Sequence, residues 1–134
     1  ASDNLLLTIM NGKEIQAGSS KTGSYNKTIA GSFHVDLTGK VRIRTQLKFP
    51  SSNGSGHASL YRGDTLVAES TSVNSRNASN YTVIQFDADV NQGNDYSIYV
   101  EGCGSAGYSG HCYMNLAEVR GSYVRKNIDY VYKV

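Results

Sequence analysis

One stretch constrains the fold more than any other: Val41-Arg42-Ile43-Arg44-Thr45-Gln46-Leu47-Lys48-Phe49. Val41, Ile43, Thr45, Leu47 and Phe49 fall on one side of a two-residue repeat, and Arg42, Arg44, Gln46 and Lys48 fall on the other. Successive side chains of a strand point to opposite faces, so this alternation specifies a half-buried strand with a solvated, basic outer face. Gly39 and Pro50 bracket it, and the polar loop 51–56 follows. A strand with one wet face belongs in an antiparallel sheet whose other face covers a core.

Further strands are expected at short intervals: 4–10, 33–37, 58–62, 65–68, 82–88, 96–101, 112–116 and 128–134. In 82–88 the residues Ile84, Phe86 and Ala88 face inward. Tyr96, Ile98 and Val100 alternate with Ser97, Tyr99 and Glu101, which places Tyr99 on the outer side. Asn11-Gly12 and Asn91-Gln92-Gly93-Asn94 carry turn signals, and the polar stretch 70–80 reads as a loop. No helical stretch stands out. Composition agrees: ten Tyr, three Phe, no Trp and 14 Gly fit a β-rich chain with many turns. The expected architecture is all-β, a single-domain antiparallel β-sandwich of jelly-roll type spanning 1–134.

The formal net charge of +2 is too mild to imply a nucleic-acid partner. No apolar run approaches the ~18 residues of a membrane span. The start, Ala1-Ser2, fits either loss of an initiator Met or cleavage of a leader. Arg62-Gly63-Asp64 matches an integrin-attachment tripeptide, yet only Gly63-Asp64 separates two strands. A two-residue hairpin link needs positive φ, which Gly supplies, so the pair is read as the hairpin turn of type I′ or II′. The local basic run 119–126 reads as a solvated strand edge.

Catalytic chemistry is not marked. His34, His57 and His111 are far apart in sequence, Gly-x-Ser-x-Gly is absent, and no spacing singles out a carboxylate pair. No enzyme, no cofactor and no metal site is expected. Cys103 and Cys112 flank a flexible loop and are read as a disulfide at a hairpin mouth, with two free thiols as the alternative. Asn26, Asn53, Asn77 and Asn80 begin glycosylation-type triplets, which matter only in a glycosylating pathway. Tyr99, outward on its strand, and Tyr108, at the tip of the loop between the cysteines, are the glycan-contact candidates. Aromatic faces stack on sugar rings while nearby Asn, Ser and Asp bind hydroxyls.

Residues 38–101 carry a run of motifs: Thr38-Gly39-Lys40-Val41-Arg42-Ile43-Arg44, Ala58-Ser59-Leu60-Tyr61-Arg62-Gly63-Asp64-Thr65-Leu66-Val67, and Gly93-Asn94-Asp95-Tyr96-Ser97-Ile98-Tyr99. The run resembles small jelly-roll modules of tailed-phage fibre, head-fibre and decoration proteins. The resemblance implies a non-enzymatic virion structural module: a capsid decoration or a head or tail fibre protein, at the virion surface. It implies a homo-oligomer, a trimer by preference, or contact with other virion proteins, and a possible host-glycan ligand. It transfers no site residue. The alternative reading is a secreted carbohydrate-binding lectin or adhesin domain.

Overall fold

The computed structural model describes residues 3–121 and 131–134. Nine strands run along the chain: β1 (Asn4–Gly18), β2 (Asn26–Val35), β3 (Gly39–Lys48), β4 (Ser55–Arg62), β5 (Thr65–Glu69), β6 (Thr82–Val90), β7 (Asn94–Cys103), β8 (His111–Gly121) and β9 (Val131–Lys133). They form two antiparallel sheets, ordered β1-β8-β3-β6 and β5-β4-β7-β2-β9. Only β4 and β5 are sequence neighbours within one sheet; every other connection crosses between sheets. That wrapping is the jelly roll, and no helix occurs among the described residues.

The alternation of β3 is the reason its sheet has an inside. Val41, Ile43, Thr45 and Leu47 are buried, and the intervening residues are half-buried or exposed. Thr45 carries a hydroxyl into the core and satisfies it by donating to the Ile84 carbonyl at 2.7 Å. The opposing sheet contributes Phe33, Leu60, Ile98 and Val100, each with no exposed surface. Phe33 stacks on Tyr96 with ring centroids 5.9 Å apart. The buried Tyr96 hydroxyl accepts a hydrogen bond from the Asn91 amide at 2.7 Å, so its polar end is not stranded in the core.

Three expectations need correction, and a fourth, the loop 70–80, holds with an addition. Asn11-Gly12 does not reverse the chain, because β1 runs straight through it. Asn11 pairs with Leu116 and Ile15 with Met114, so four steps on β1 face two on β8. Gly12, at φ 88°, lets the surplus bulge outward. The polar stretch 70–80 is indeed irregular, but it sends Val73 and Ala78 into the core. Val73 also exchanges backbone hydrogen bonds with Gly56 at 2.7 and 2.8 Å. A lone apolar residue between polar neighbours leaves no period to read.

The basic run 119–126 is not a solvated edge where it is described. Val119, Arg120 and Gly121 belong to β8, which lies between β1 and β3. Residues 122–126 lie outside the described residues, as do 128–130 of the expected last strand. Finally, Cys103 and Cys112 are free thiols, both buried. Cys103 ends β7 beside Ser55, whereas Cys112 lies in β8 beside Ala17. The two strands belong to different sheets, so the loop between them is a crossing and has no hairpin mouth. Burial pushes the Cys112 thiol up to about 12, which leaves little reactive thiolate.

Gly63 and Asp64 link β4 to β5, with Arg62 paired to Thr65. Gly63 has φ 59° and a Cβ placed on it would meet nothing within 4 Å, so any cost of substitution there is conformational. Gly63→Val is expected to destabilise the chain by about 1–2 kcal/mol in urea denaturation. Asp64→Glu should stay within about 0.5 kcal/mol of the parent. Equal midpoints for parent and Gly63→Val would refute the turn account.

Candidate functional site

The outer face of the five-stranded sheet carries the richest chemistry. Core packing of Ala58 and Leu60 forces His57, Ser59 and Tyr61 of β4 to the other side of the pleat. In β7, burial of Tyr96, Ile98 and Val100 does the same for Ser97, Tyr99 and Glu101. The register then sets cross-strand neighbours: His57 and Lys27 flank Glu101, Ser59 and Ile29 flank Tyr99, and Tyr61 and Ser32 flank Ser97. Side chains opposed in this way touch across the sheet.

Three groups result. Tyr61 and Tyr99 meet edge to face, with centroids 5.3 Å apart. Lys27 Nζ lies 3.8 Å from the centre of the Tyr61 ring and 4.7 Å from that of Tyr99. Such placement over a ring face is attractive because the π-cloud is negative. Burial, followed by the charges of Glu101 and Glu69, pushes the Tyr61 hydroxyl above its usual range and keeps it a neutral donor.

Beside the rings, His57 Nε2 stands 3.2 Å from Oε2 of both Glu69 and Glu101. The His57 and Glu101 side chains are only 9% exposed. Burial pushes the Glu101 carboxyl up. The hydrogen bond from His57, with the charges of His57 and Lys27, outweighs that and holds it below the usual carboxylate value. Ser59 is fully buried, and its Oγ, although near enough to support Glu101, meets no partner in good hydrogen-bond geometry. The Tyr25 ring packs edge-on to His57 at 4.6 Å, and its hydroxyl is 2.6 Å from Ser55 Oγ.

Further along the face, Ser32 and Ser97 hydroxyls are 2.7 Å apart. His34 Nδ1 lies 2.6 Å from Asp95 and Nε2 lies 2.8 Å from Asp36, under a Tyr132 ring 5.0 Å away. The opposite sheet holds a smaller cluster. Lys48 Nζ is 4.9 Å from the ring centres of both Tyr81 and Tyr113, and 3.6 Å from Glu14. The Tyr81 hydroxyl donates to Glu14, and burial first, then that carboxylate, pushes its pKa far up.

Of the sequence candidates, Tyr99 is in the centre of the aromatic pair. Tyr108 lies in the loop between β7 and β8, 64% exposed, and no ring contact joins it to Tyr99. Reading the sequence for catalysis set His57 aside as isolated and passed over Lys27, Tyr61, Glu69 and Glu101. Their signal was strand parity: His57, Ser59 and Tyr61 alternate with Ala58 and Leu60, and so belong to the outer face. What parity does not supply is the register that sets Glu101 and Glu69 around one imidazole.

No family model matches the chain, and no curated protein matches it in sequence. Solved structures do match in shape. A carbohydrate binding module from Cellvibrio mixtus lichenase 5A, in complex with cellotriose, superimposes with TM-score 0.53 at 13% identity, covering 87% of this chain and 97% of that one. A family 35 carbohydrate binding module from an environmental isolate gives TM-score 0.52 at 9% identity, covering 87% of this chain and 74% of that one. A structure of infectious bursal disease virus, Gx strain, gives TM-score 0.50 at 10% identity over 95% of this chain and 37% of that one. At such identities the likeness establishes the jelly-roll fold.

The His34 site yields a pH prediction. Hydrogen bonds to Asp95 first and Asp36 second raise the His34 pKa above 6.5, because both ring nitrogens must be protonated to serve both carboxylates. A raised folded-state pKa gives stability that is complete below the unfolded value and fades as pH climbs through the folded one. The stability gap between parent and His34→Gln is therefore expected at about pH 5.5 and should shrink by about pH 9. A gap unchanged across that range in urea titrations would contradict the charged pairing.

Proposed function

We propose that this chain is a non-catalytic carbohydrate-binding module that works outside a cell or on a surface. The single observation that carries the reading is the outer face of the five-stranded sheet. There Tyr61 and Tyr99 lie among Lys27, Ser97, Ser32, His57 and Glu101. Sugars are recognised by this combination, with aromatic carbon surface against C–H faces and charged or hydroxyl groups against the ring hydroxyls. The similar modules, one of them in complex with cellotriose, support the reading by sharing the scaffold.

The division of labour follows from geometry. Tyr99 and Tyr61 supply the apolar platform. Lys27, now over both rings, swings aside on its flexible stem and donates to a sugar oxygen. The virion role implied by the phage-module resemblance gains only a shared fold from the viral likeness, and we place it second. Tyr108, exposed on its separate loop, is a peripheral contact for a long polysaccharide in this reading.

Affinity electrophoresis against a panel of soluble polysaccharides tests the proposal. The parent chain is expected to be retarded by at least one of them. Tyr99→Ala and Tyr61→Ala should each weaken that binding about tenfold, or ~1.4 kcal/mol, without loss of fold. Retardation by none of them would sink the reading. Loss through Tyr81→Ala with Tyr99→Ala unaffected would move the site to the opposite sheet.

A further inference from the structure

The geometry points to a binding site for one divalent transition-metal ion of the zinc class, formed by His57, Glu69 and Glu101. These residues come from three adjacent strands, β4, β5 and β7. The His57 Nε2 is 3.2 Å from one oxygen of each carboxylate, and the three donor atoms all lie within 4.8 Å of one another. A tetrahedral ion with bonds of about 2.0–2.1 Å sets its ligands about 3.3 Å apart, so the imidazole–carboxylate spacings already match. Only the two carboxylates need to draw together.

A second observation, independent of the three ligands, is Ser59. It is fully buried on the same face of β4, paired in register with both Glu69 and Tyr99, and its Oγ has no hydrogen-bond partner. A buried hydroxyl without a partner is costly, and native structures rarely keep one idle. Beside an occupied site it would bond a ligating carboxylate or a metal-bound water, the common work of groups behind a metal. The imidazole is also held in place: the Tyr25 ring abuts it edge-on, and Tyr25 is itself tied to Ser55. Without an ion, two carboxylates crowd one imidazole, each with an oxygen 3.2 Å from the same Nε2. A divalent cation removes that repulsion.

Ligand chemistry selects the ion. Calcium and magnesium take oxygen donors, whereas one imidazole with two carboxylates suits zinc and its neighbours. Three protein ligands leave a fourth position open to water or to another oxygen ligand. This site does not depend on sugar binding, and its test uses no sugar.

Cobalt(II) serves as the probe, because its absorption reports the donor set. Titration of the purified, reduced chain should show one equivalent bound, with a spectrum lacking a thiolate-to-metal band, and zinc should displace it. Glu69→Gln, on an exposed edge-strand position, should keep the parent circular dichroism and lose at least about tenfold in cobalt affinity. Glu101→Gln should lose more. Absence of stoichiometric binding overturns the site. So does a thiolate band, which would put the ion on Cys103 or Cys112, and so does undiminished binding in Glu69→Gln. Displacement by calcium as effective as that by zinc would overturn the assigned ion class.

Discussion

Strand β7 pairs with β4 on one edge and β2 on the other, and its pleat ties the core to the surface. Tyr96, Ile98 and Val100 are buried to 1% exposure or less on the inner side. Because the side-chain period of a strand is two, that burial leaves Ser97, Tyr99 and Glu101 no choice but the outer side. A slip of one residue would push Tyr99 and Glu101 into the core and bring the apolar set out to water. At roughly 25 cal/mol per Å² of apolar surface, such an exchange is prohibitive. The candidate site is thus fixed by hydrophobic packing on its reverse side, before any polar contact on the face is counted.

The polar contacts then give the face its character. Exposed ion pairs such as Arg42 with Asp87, on the other sheet, contribute little to stability and need no functional explanation. The group around Glu101 differs, because a carboxylate nine-tenths buried must be compensated. Compensation comes from His57 and Lys27, both set by the register of β4 and β2 against β7. Aromatic rings, a cation and a hydrogen-bonded carboxylate therefore meet on one open surface. A scaffold alone would not require that concentration, which is why the face, more than the fold, supports a binding role.

Much of the fold was legible in single strands. The alternation of 41–49 and of 96–101 named the inner residues and placed Tyr99 outside, because burial on one face leaves a strict two-residue signature. Long-range facts were not legible. The centrality of β8 is a property of strand order, so Val119 to Gly121 looked like an edge from their charge while lying between β1 and β3. The cysteines were misjudged for the same reason: local loop length suggests a hairpin, but the loop crosses from one sheet to the other, and both thiols are free. Asn11-Gly12 failed differently, since the same positive φ that closes a turn also accommodates a bulge in a continuous strand. In the site, one residue of the aromatic pair was named from sequence, while His57, Glu69 and Glu101 meet only through pairing across three strands.

The central claim is that the outer face of the five-stranded sheet is where this protein meets its ligand. Amide chemical-shift mapping during titration with a bound oligosaccharide tests it most directly. The account predicts that the largest shifts cluster on 57–61 of β4, 97–101 of β7 and 27–32 of β2, with the four-stranded sheet silent. Shifts concentrated instead on Lys48, Tyr81 and Tyr113, or confined to the loop around Tyr108, would contradict it.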